Sequence, residues 1–316
     1  MIYKILLIFL LLHSGMFAKM LSRTQVIMGT FCTISLERDD KIQDGFEFLK
    51  VQERVLSSYK NEALVYRLNH EKSTPLNLIL KEILQLSKEY HTQTNGYFDI
   101  TIGSITKELY HFGEDEQLVD KKKIQDAVVD IDKIYIQKDK IKIDKNITLD
   151  LGGIAKGYSV DKLSSYYQDQ GIKKGKIALS GDIRCFERCE ILIESPFDEY
   201  PFVSLHSKID NFSISTSGTY RRFVKNQKNH HLLNPKTKQQ GRDFSSVTIL
   251  TQENNTLCDV YATAVSVMDL KKALEFLDKN NQIGYVLVTS KHKVFYGNLD
   301  KFVKVKWLKS IEEEKN

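Results

Sequence analysis

The chain of 316 residues lacks the signatures that most often announce a nucleotide enzyme. It has no Walker motif, no nucleophile elbow, and no dinucleotide glycine fingerprint with its later acidic residue. Cysteine is scarce, with four in all. Cys185 and Cys189 lie close together on a hairpin pattern and could pair in an oxidising compartment or stay free. The second pair that a zinc site would need is missing. Cys32 sits in a strand pattern as packing, and nothing marks Cys258 as a nucleophile. Excess charge is small, a net +5 with a pI near 8.7, and the lysines are spread rather than clustered. Nucleic acid is therefore not an expected partner. Past the N-terminus no apolar run is long enough to span a bilayer, so extensive membrane insertion is not expected. Internal repeats and low-complexity linkers are also missing.

What is present is a globular composition, 41% hydrophobic and 28% charged, sufficient for one large domain. Met1 to Lys4 carries one positive charge, Ile5 to Leu12 is an unbroken apolar run, and small residues follow to Ala18. That three-part form is a secretory signal over residues 1–18, with an uncleaved anchor as the other reading. No cysteine near the site supports a lipid anchor. The expected organisation is a leader at 1–18, a domain at 19–310 and a disordered tail at 311–316, with the body exported.

Strand and helix patterns mix without regular alternation, which favours α+β over a doubly wound fold. Val26 to Leu36 alternates as one strand with Met28-Gly29-Thr30 as a bulge. Lys41 to Ser57 and Leu76 to Thr92 have helical spacing, the second ending at Thr94-Asn95-Gly96. Glu62 to Asn69 and Ile105 to Phe112 read as shorter helices. Ile134 to Gln137 and Ile141 to Asp144 read as a hairpin. Short strands follow from Lys176 to Ser215, then a polar turn at Thr216-Ser217-Gly218 and another at His230 to Thr237. A strand at Val247 to Leu250, helices at Leu257 to Val267 and Lys271 to Asp278, and strands at Ile283 to Val288 and Lys293 to Tyr296 close the pattern.

One stretch organises the rest: Asp150-Leu151-Gly152-Gly153-Ile154-Ala155-Lys156-Gly157-Tyr158-Ser159-Val160-Asp161. An alternating run from Lys140 to Leu149 precedes it and helical spacing follows, so it reads as strand, glycine turn and helix start. Such a turn admits a ligand to the backbone, and a helix N-terminus favours anions. A phosphate-bearing ligand and an ordinary connection both fit. Asp259 and Thr263 stand four apart at another helix start and share a face. Together they could hold a hard cation such as magnesium, or serve as a cap and a core threonine. His230 and His231 are adjacent, so one could act as a base while the other is solvated. Tyr59 and Phe98 could wall a planar ligand or sit in the core. Asp99 and Asp161 could bind ligand hydroxyls or cap helices.

In order along the chain, Met28-Gly29-Thr30, Ser58-Tyr59, Gly96 to Asp99, Asp150 to Gly157, Ser180 to Arg184, Thr216 to Gly218, His231 to Thr237 and Asp259 to Thr263 resemble the motifs of the ApbE family. The resemblance runs from Val26 to about Tyr296. The family comprises the FAD:protein FMN transferases, or flavin transferases. The resemblance implies a single large domain of mixed and antiparallel sheet with flanking helices, related to the T-fold. It implies magnesium-dependent transfer of the FMN part of FAD to a threonine or serine hydroxyl of an acceptor, with release of AMP. A pyrophosphatase giving FMN and AMP, or a non-catalytic FAD-binding protein, are the alternatives. The implied acceptors are exported flavoprotein domains of membrane redox complexes, which implies an exported protein, periplasmic or on the periplasmic face of the inner membrane. Carried over residue by residue, Gly153, Asp259, Ala262 and Thr263 would approach the metal. Met28, Tyr59, Tyr97, Phe98, Asp99, Asp150, Lys156 and Leu233 would line the FAD site. His231 would help deprotonate the acceptor, with Asp259 able to share that task. Four positions depart from the family pattern: Ser180 where a glycine is common, Asn234 for aspartate, Lys238 for glycine and Cys258 for alanine.

Overall fold

The computed structural model describes residues 20–309 and the backbone of residues 313–315. The expected leader lies outside them. The chain begins with β1 (Leu21–Ile27) and β2 (Thr30–Leu36), then α1 (Asp39–Leu56), α2 (Leu64–Glu71), β3 (Ser73–Pro75) and α3 (Leu78–Gln93). Next come α4 (Gly103–Thr106), α5 (Lys121–Asp126), β4 (Ile134–Ile136), β5 (Lys140–Ile143) and α6 (Ala155–Asp169). A run of strands follows: β6 (Gly175–Leu179), β7 (Asp182–Cys185), β8 (Glu190–Glu194), β9 (Pro201–Ser207), β10 (Phe212–Gly218), β11 (Leu233–Asn234), β12 (Gln239–Gln240) and β13 (Phe244–Thr251). The chain closes with α7 (Asn255–Ser266), α8 (Leu270–Lys279), β14 (Gly284–Thr289), β15 (Val294–Gly297), α9 (Leu299–Phe302), β16 (Val303–Trp307) and β17 (Glu313–Lys315).

Among the described residues nine strands form the main sheet, in the order β1-β2-β6-β7-β10-β13-β14-β15-β17. Every pairing is antiparallel except β15 with β17. β14 is buried along its whole length because both its faces are covered. Tyr285 and Leu287 join a core with Leu257, Val260 and Phe276 from the helices. Val286 and Val288 face a second core with Ile191, Val203 and Val303 from the three-stranded sheet β16-β9-β8. The result is helices, large sheet and small sheet in layers, as α+β patterning anticipates.

Several elements differ from the sequence reading. Residues 26–36 are not one bulged strand but a hairpin, with Met28 (φ 53°) and Gly29 (φ 70°) as a two-residue turn. Two central residues at positive φ match the right-handed twist of a hairpin, and the Met28 N–H bonds the Glu53 carboxylate at 2.9 Å. The strand before the central stretch stops at Ile143, where Asp144 turns the chain by accepting the Asn146 N–H (2.9 Å). The helix expected over 105–112 is one turn, after which the chain doubles back through His111 at φ 53°. Thr216-Ser217-Gly218 is the end of β10, paired with β13, rather than a turn. Glu313–Lys315, in the stretch expected to be disordered, adds its backbone to the otherwise open edge of β15. Cys185 and Cys189 form a disulfide, while Cys32 and Cys258 are free and buried.

The starts of α6 and α7 bind each other. α6 has no side-chain cap of its own at Ile154. Its third residue, Gly157, donates its N–H to Asp259 of α7 at 3.0 Å. In return Asp161 of α6 accepts the N–H groups of Asn255 and Thr256, both at 2.8 Å, and the Thr256 hydroxyl at 2.6 Å. Asn254 completes the cap by accepting from Leu257 (2.7 Å). The approach needs glycine: a Cβ on Gly157 would lie 2.6 Å from the Asn255 carbonyl oxygen and 2.8 Å from the Asp259 Cβ. Gly157→Ala is therefore expected to cost about 1–3 kcal/mol of stability, measured by urea denaturation. A stability equal to wild type would show that the two helices can part without loss.

Candidate active site

The central stretch and α7 meet as expected, but the anion at the α6 start is the protein's own Asp259. Asp259 is almost fully buried, and both its bonds, from Gly157 N–H and from Lys156 Nζ (3.5 Å), fall on Oδ2. Oδ1 carries none. Lys156 also donates to Asp182, whose other oxygen accepts from the Ser215 hydroxyl at 2.7 Å. Burial and the neighbouring Asp182 charge push the Asp259 carboxyl well above the usual carboxylate range, against the pull of Lys156. Burial works to lower the Lys156 ammonium, but Asp182 and Asp259 outweigh it and hold Lys156 protonated. Two carboxylates thus share one ammonium.

Gly153 lies against the same helix face, where a Cβ would sit 2.7 Å from the Thr263 hydroxyl oxygen. Asp259, Thr263 and the Gly153 backbone therefore converge. Among the described residues no three His, Cys, Asp or Glu side chains gather around a metal position. The oxygen set here fits a hard cation that keeps other ligands of its own. The unengaged Asp259 Oδ1 and the local excess of negative charge favour one. Ala262 adds no side-chain donor, and its carbonyl accepts the Ser266 hydroxyl at 2.6 Å.

Asp150 links this half to a second. Its Oδ1 accepts the Gly152 N–H (2.9 Å) and its Oδ2 the Thr106 hydroxyl (2.6 Å), with Lys107 Nζ at 4.0 Å. Burial alone would raise the Asp150 carboxyl, but Lys107, Thr106 and the Gly152 N–H together hold it below the usual range. The Lys107 ammonium stands 3.5 Å from the Tyr59 ring centroid, a cation–π contact. The Tyr59 hydroxyl donates to the Phe112 carbonyl (3.1 Å) and accepts from Arg222 (3.3 Å). His231 Nδ1 donates to the Arg222 carbonyl at 3.1 Å. A carbonyl only accepts, so the proton sits on Nδ1 and Nε2 holds the lone pair. Burial first, then the Arg222 charge, push the His231 pKa down to about 3, so its imidazole is neutral.

Other expected residues are used by the fold. Phe98 is core, and its neighbour Asp99 is saturated by the Thr101 N–H (2.8 Å) and hydroxyl (2.7 Å) with His91 at 3.3 Å. Leu233 is buried on β11. Asp161 is the helix cap described above. His230 is not solvated: it is buried, its Nε2 donating to the Gly241 carbonyl (2.7 Å) and its Nδ1 accepting the Leu232 N–H (3.2 Å). Tyr97 meets the loop after His231 through Lys236, whose Nζ is 4.7 Å from its ring centroid. Met28 connects through Glu53 to Lys60 (2.7 Å), next to Tyr59. Thr106, Lys107 and Arg222 were missed because no motif spacing marks them. Asp182 could have been found, since it lies inside the Ser180–Arg184 motif. A cleft of about 650 Å³ lined by Lys72, Glu108, Lys123 and Thr148 holds none of the expected residues.

A model of the ApbE family matches residues 28–287. The chain belongs to the ApbE family. It is 28% identical over 268 residues to the FAD:protein FMN transferase of Buchnera aphidicola, covering 78% of each chain. Identity to the Escherichia coli K12 protein of the same name is 24% over 295 residues, covering 82% of each. The fold is similar to the ApbE protein of Thermotoga maritima, with a TM-score of 0.79 at 19% identity over 90% of this chain and 98% of that one. It is also similar to flavin transferase ApbE of Vibrio cholerae, with a TM-score of 0.77 at 21% identity, 90% and 99% covered. The departures from the family pattern now have a geometry. Ser180 and Lys238, where glycine is common, both have φ of 58°. Asn234 bonds the Val267 carbonyl through its amide at 2.9 Å, which an aspartate could not do when ionised.

Two outcomes follow from these contacts. Ser180→Gly should gain about 0.5–1 kcal/mol in urea denaturation by relieving a left-handed residue; a loss would mean that the serine hydroxyl has a role of its own. His230→Ala should cost about 2–3 kcal/mol, since it strands two buried backbone groups, whereas His231→Ala should cost far less. Burial lowers the folded His230 pKa against the pull of Gly241. The unfolded chain then takes up a proton first, so this contribution is intact above about pH 6.5 and fades as pH falls toward the folded value. The acid slope of stability against pH should flatten in His230→Ala.

Proposed function

We propose that this chain is an FAD:protein FMN transferase that moves the FMN part of FAD to a threonine or serine hydroxyl of an acceptor protein and releases AMP. The observation that carries the reading is the convergence of Asp259, Thr263 and Gly153, with Lys156 and Asp182 behind them, beside the wall of Tyr59, Lys107, Asp150 and His231. Family membership and the relatives' names support it. Asp259, Thr263 and the Gly153 carbonyl would hold Mg²⁺. Bound there, the ion would neutralise charge on a diphosphate.

The remaining work falls to the chain. Lys156 keeps Asp182 and Asp259 in place and brings a fixed positive charge to the site. Tyr59, held by Phe112 and Arg222, offers an aromatic edge to the flavin or adenine. The Arg222 carbonyl orients His231 so that Nε2 can take the acceptor proton. The hydroxyl oxygen forms a bond to the FMN-side phosphorus, the bond to the AMP phosphate breaks, and AMP leaves with that electron pair. Such transfer depends chiefly on positioning and charge neutralisation. Asp259 could share the task of His231. A protein with the leader pattern of residues 1–18 and a Cys185–Cys189 disulfide suits an oxidising, periplasmic location. Exported flavoprotein domains of membrane redox complexes would be its acceptors.

The test mixes purified protein, FAD, Mg²⁺ and a flavin-free acceptor domain and reads covalent flavin by in-gel fluorescence. Transfer should need Mg²⁺ and stop with EDTA. Asp259→Ala should lose at least about 100-fold in rate and, because it removes the acceptor of the Gly157 N–H, some stability as well, read separately by urea denaturation. Release of free FMN at one rate with or without acceptor would instead make the protein a pyrophosphatase.

A further inference from the structure

The lysines are spread over the chain, but the acids are not. Between Asp210 and Asp243 there are seven lysines and arginines and no aspartate or glutamate. The whole chain is only +5, so the remainder carries a slight excess of acid. In the fold this stretch makes two short hairpins joined at His231 and Leu232. In the first, Phe223 pairs with His230, the His231 N–H bonds the Arg222 carbonyl (3.2 Å) and the Val224 N–H bonds the Asn229 carbonyl (3.0 Å). Its tip carries Lys225 and Lys228, both exposed. The second is β11–β12, whose turn carries Lys236 and Lys238.

Few of these charges serve the fold. Among the described residues Arg221 alone of the seven has a carboxylate within 4 Å, that of Glu194. The acidic turn from Glu114 to Glu116 makes no ion pair with any of them. Lys236 and Lys238 bond backbone carbonyls, those of Asn95 and Gln125. The side chains of Lys225, Lys228 and Arg242 make no hydrogen bond or ion pair among the described residues. Like charges gathered without acids repel one another, so the tip lysines do not stabilise the first hairpin.

Its place beside the site is set by bonds. Val224 packs with Phe112 and Leu233. The Phe112 carbonyl holds the Tyr59 hydroxyl, and Arg222 bonds that hydroxyl and, through its own carbonyl, His231. Lys225 lies three residues from Arg222 and Lys228 three from His231, so each backbone is within about 10 Å of the hairpin base. A hydroxyl brought to His231 Nε2 carries its own chain neighbours into the same reach.

We propose that the tip of the Arg222–His231 hairpin recognises the acceptor polypeptide, and that it selects acceptors with aspartate or glutamate close in sequence to the hydroxyl that receives FMN. This rests on the transferase reading, which brings a second protein to His231. In that reading Lys156 and Lys107 face the FAD, and the exposed tip lysines are left for the protein. Surface charges of this kind speed and orient the encounter more than they add affinity, and salt screens them.

The test uses Lys225→Glu, Lys228→Glu and the double variant with two forms of a flavin-free acceptor domain that takes FMN on threonine. One form keeps its acids, and in the other those within about five residues of the threonine are changed to amides. At about 20 mM salt the double variant should lose roughly tenfold in kcat/KM for the acidic form. The kcat at saturating acceptor, the affinity for FAD and the melting temperature should stay near wild type. In about 1 M salt, where the screening length is about 3 Å, the two enzymes should converge. The amide form should be a poor acceptor for the wild type and lose nothing further in the double variant. An unchanged kcat/KM at low salt overturns the inference. So does a loss that is equal for both forms or that persists in high salt. A matching loss of FAD affinity would assign the lysines to FAD instead. Binding of the wild type to phosphatidylglycerol vesicles, lost in the double variant while kcat/KM is unchanged, would assign them to a membrane surface. If the wild-type protein attaches no flavin to either form while hydrolysing FAD, the transferase reading itself fails, and the proposal falls with it.

Discussion

The site depends on an exchange of carboxylates between two helix starts. Asp259 of α7 satisfies the first turn of α6, and Asp161 of α6 satisfies the first turn of α7. Each helix lends the other the anion that its own N-terminus lacks, and each carboxylate sits where the helix dipole favours it. Buried carboxylates are costly unless they are bonded, so the exchange both locks the crossing and makes the charges tolerable. The crossing brings Gly153 to Thr263 and sets Lys156 between Asp182 and Asp259. Asp259, Thr263 and Gly153 would not converge if the helices met at another angle.

Charge is distributed unevenly over the two halves. Around Asp259 two carboxylates share one ammonium, and the resting site lacks a positive charge. Around Asp150 the balance is reversed, with Lys107 and Arg222 beside a single carboxylate. A ligand carrying a diphosphate next to a planar ring system meets both needs at once: a cation shared with the first half, and cations and an aromatic surface in the second. His231 belongs to the second half, and the same Arg222 that orients it also suppresses its protonation.

Legibility in the sequence followed locality. α3 could be read because an Asn77 cap, a repeating apolar face and a left-handed stop at Asn95-Gly96 all act within one segment. The hairpin turn at Met28-Gly29 was misread because methionine seldom adopts positive φ, and a tertiary bond to Glu53 holds it there. The functional motifs could be recognised only by their order along the chain. Lys107 and Arg222 remained invisible because their roles arise from a contact with Tyr59, across 48 and 163 residues, that no spacing encodes. Asp99 and Leu233 stand in the motif and are buried in the fold.

The exchange between α6 and α7 also has a consequence in time. Its bonds join residues separated by 94 to 102 positions. A growing chain that has not yet reached Asn255 holds Asp161 and Gly157 without counterparts, and its Lys156 faces Asp182 alone. Contacts of such long range form late, after the intervening loops have closed. The meeting of Asp259 with Gly157, and of Thr263 with Gly153, therefore waits on the docking of α7.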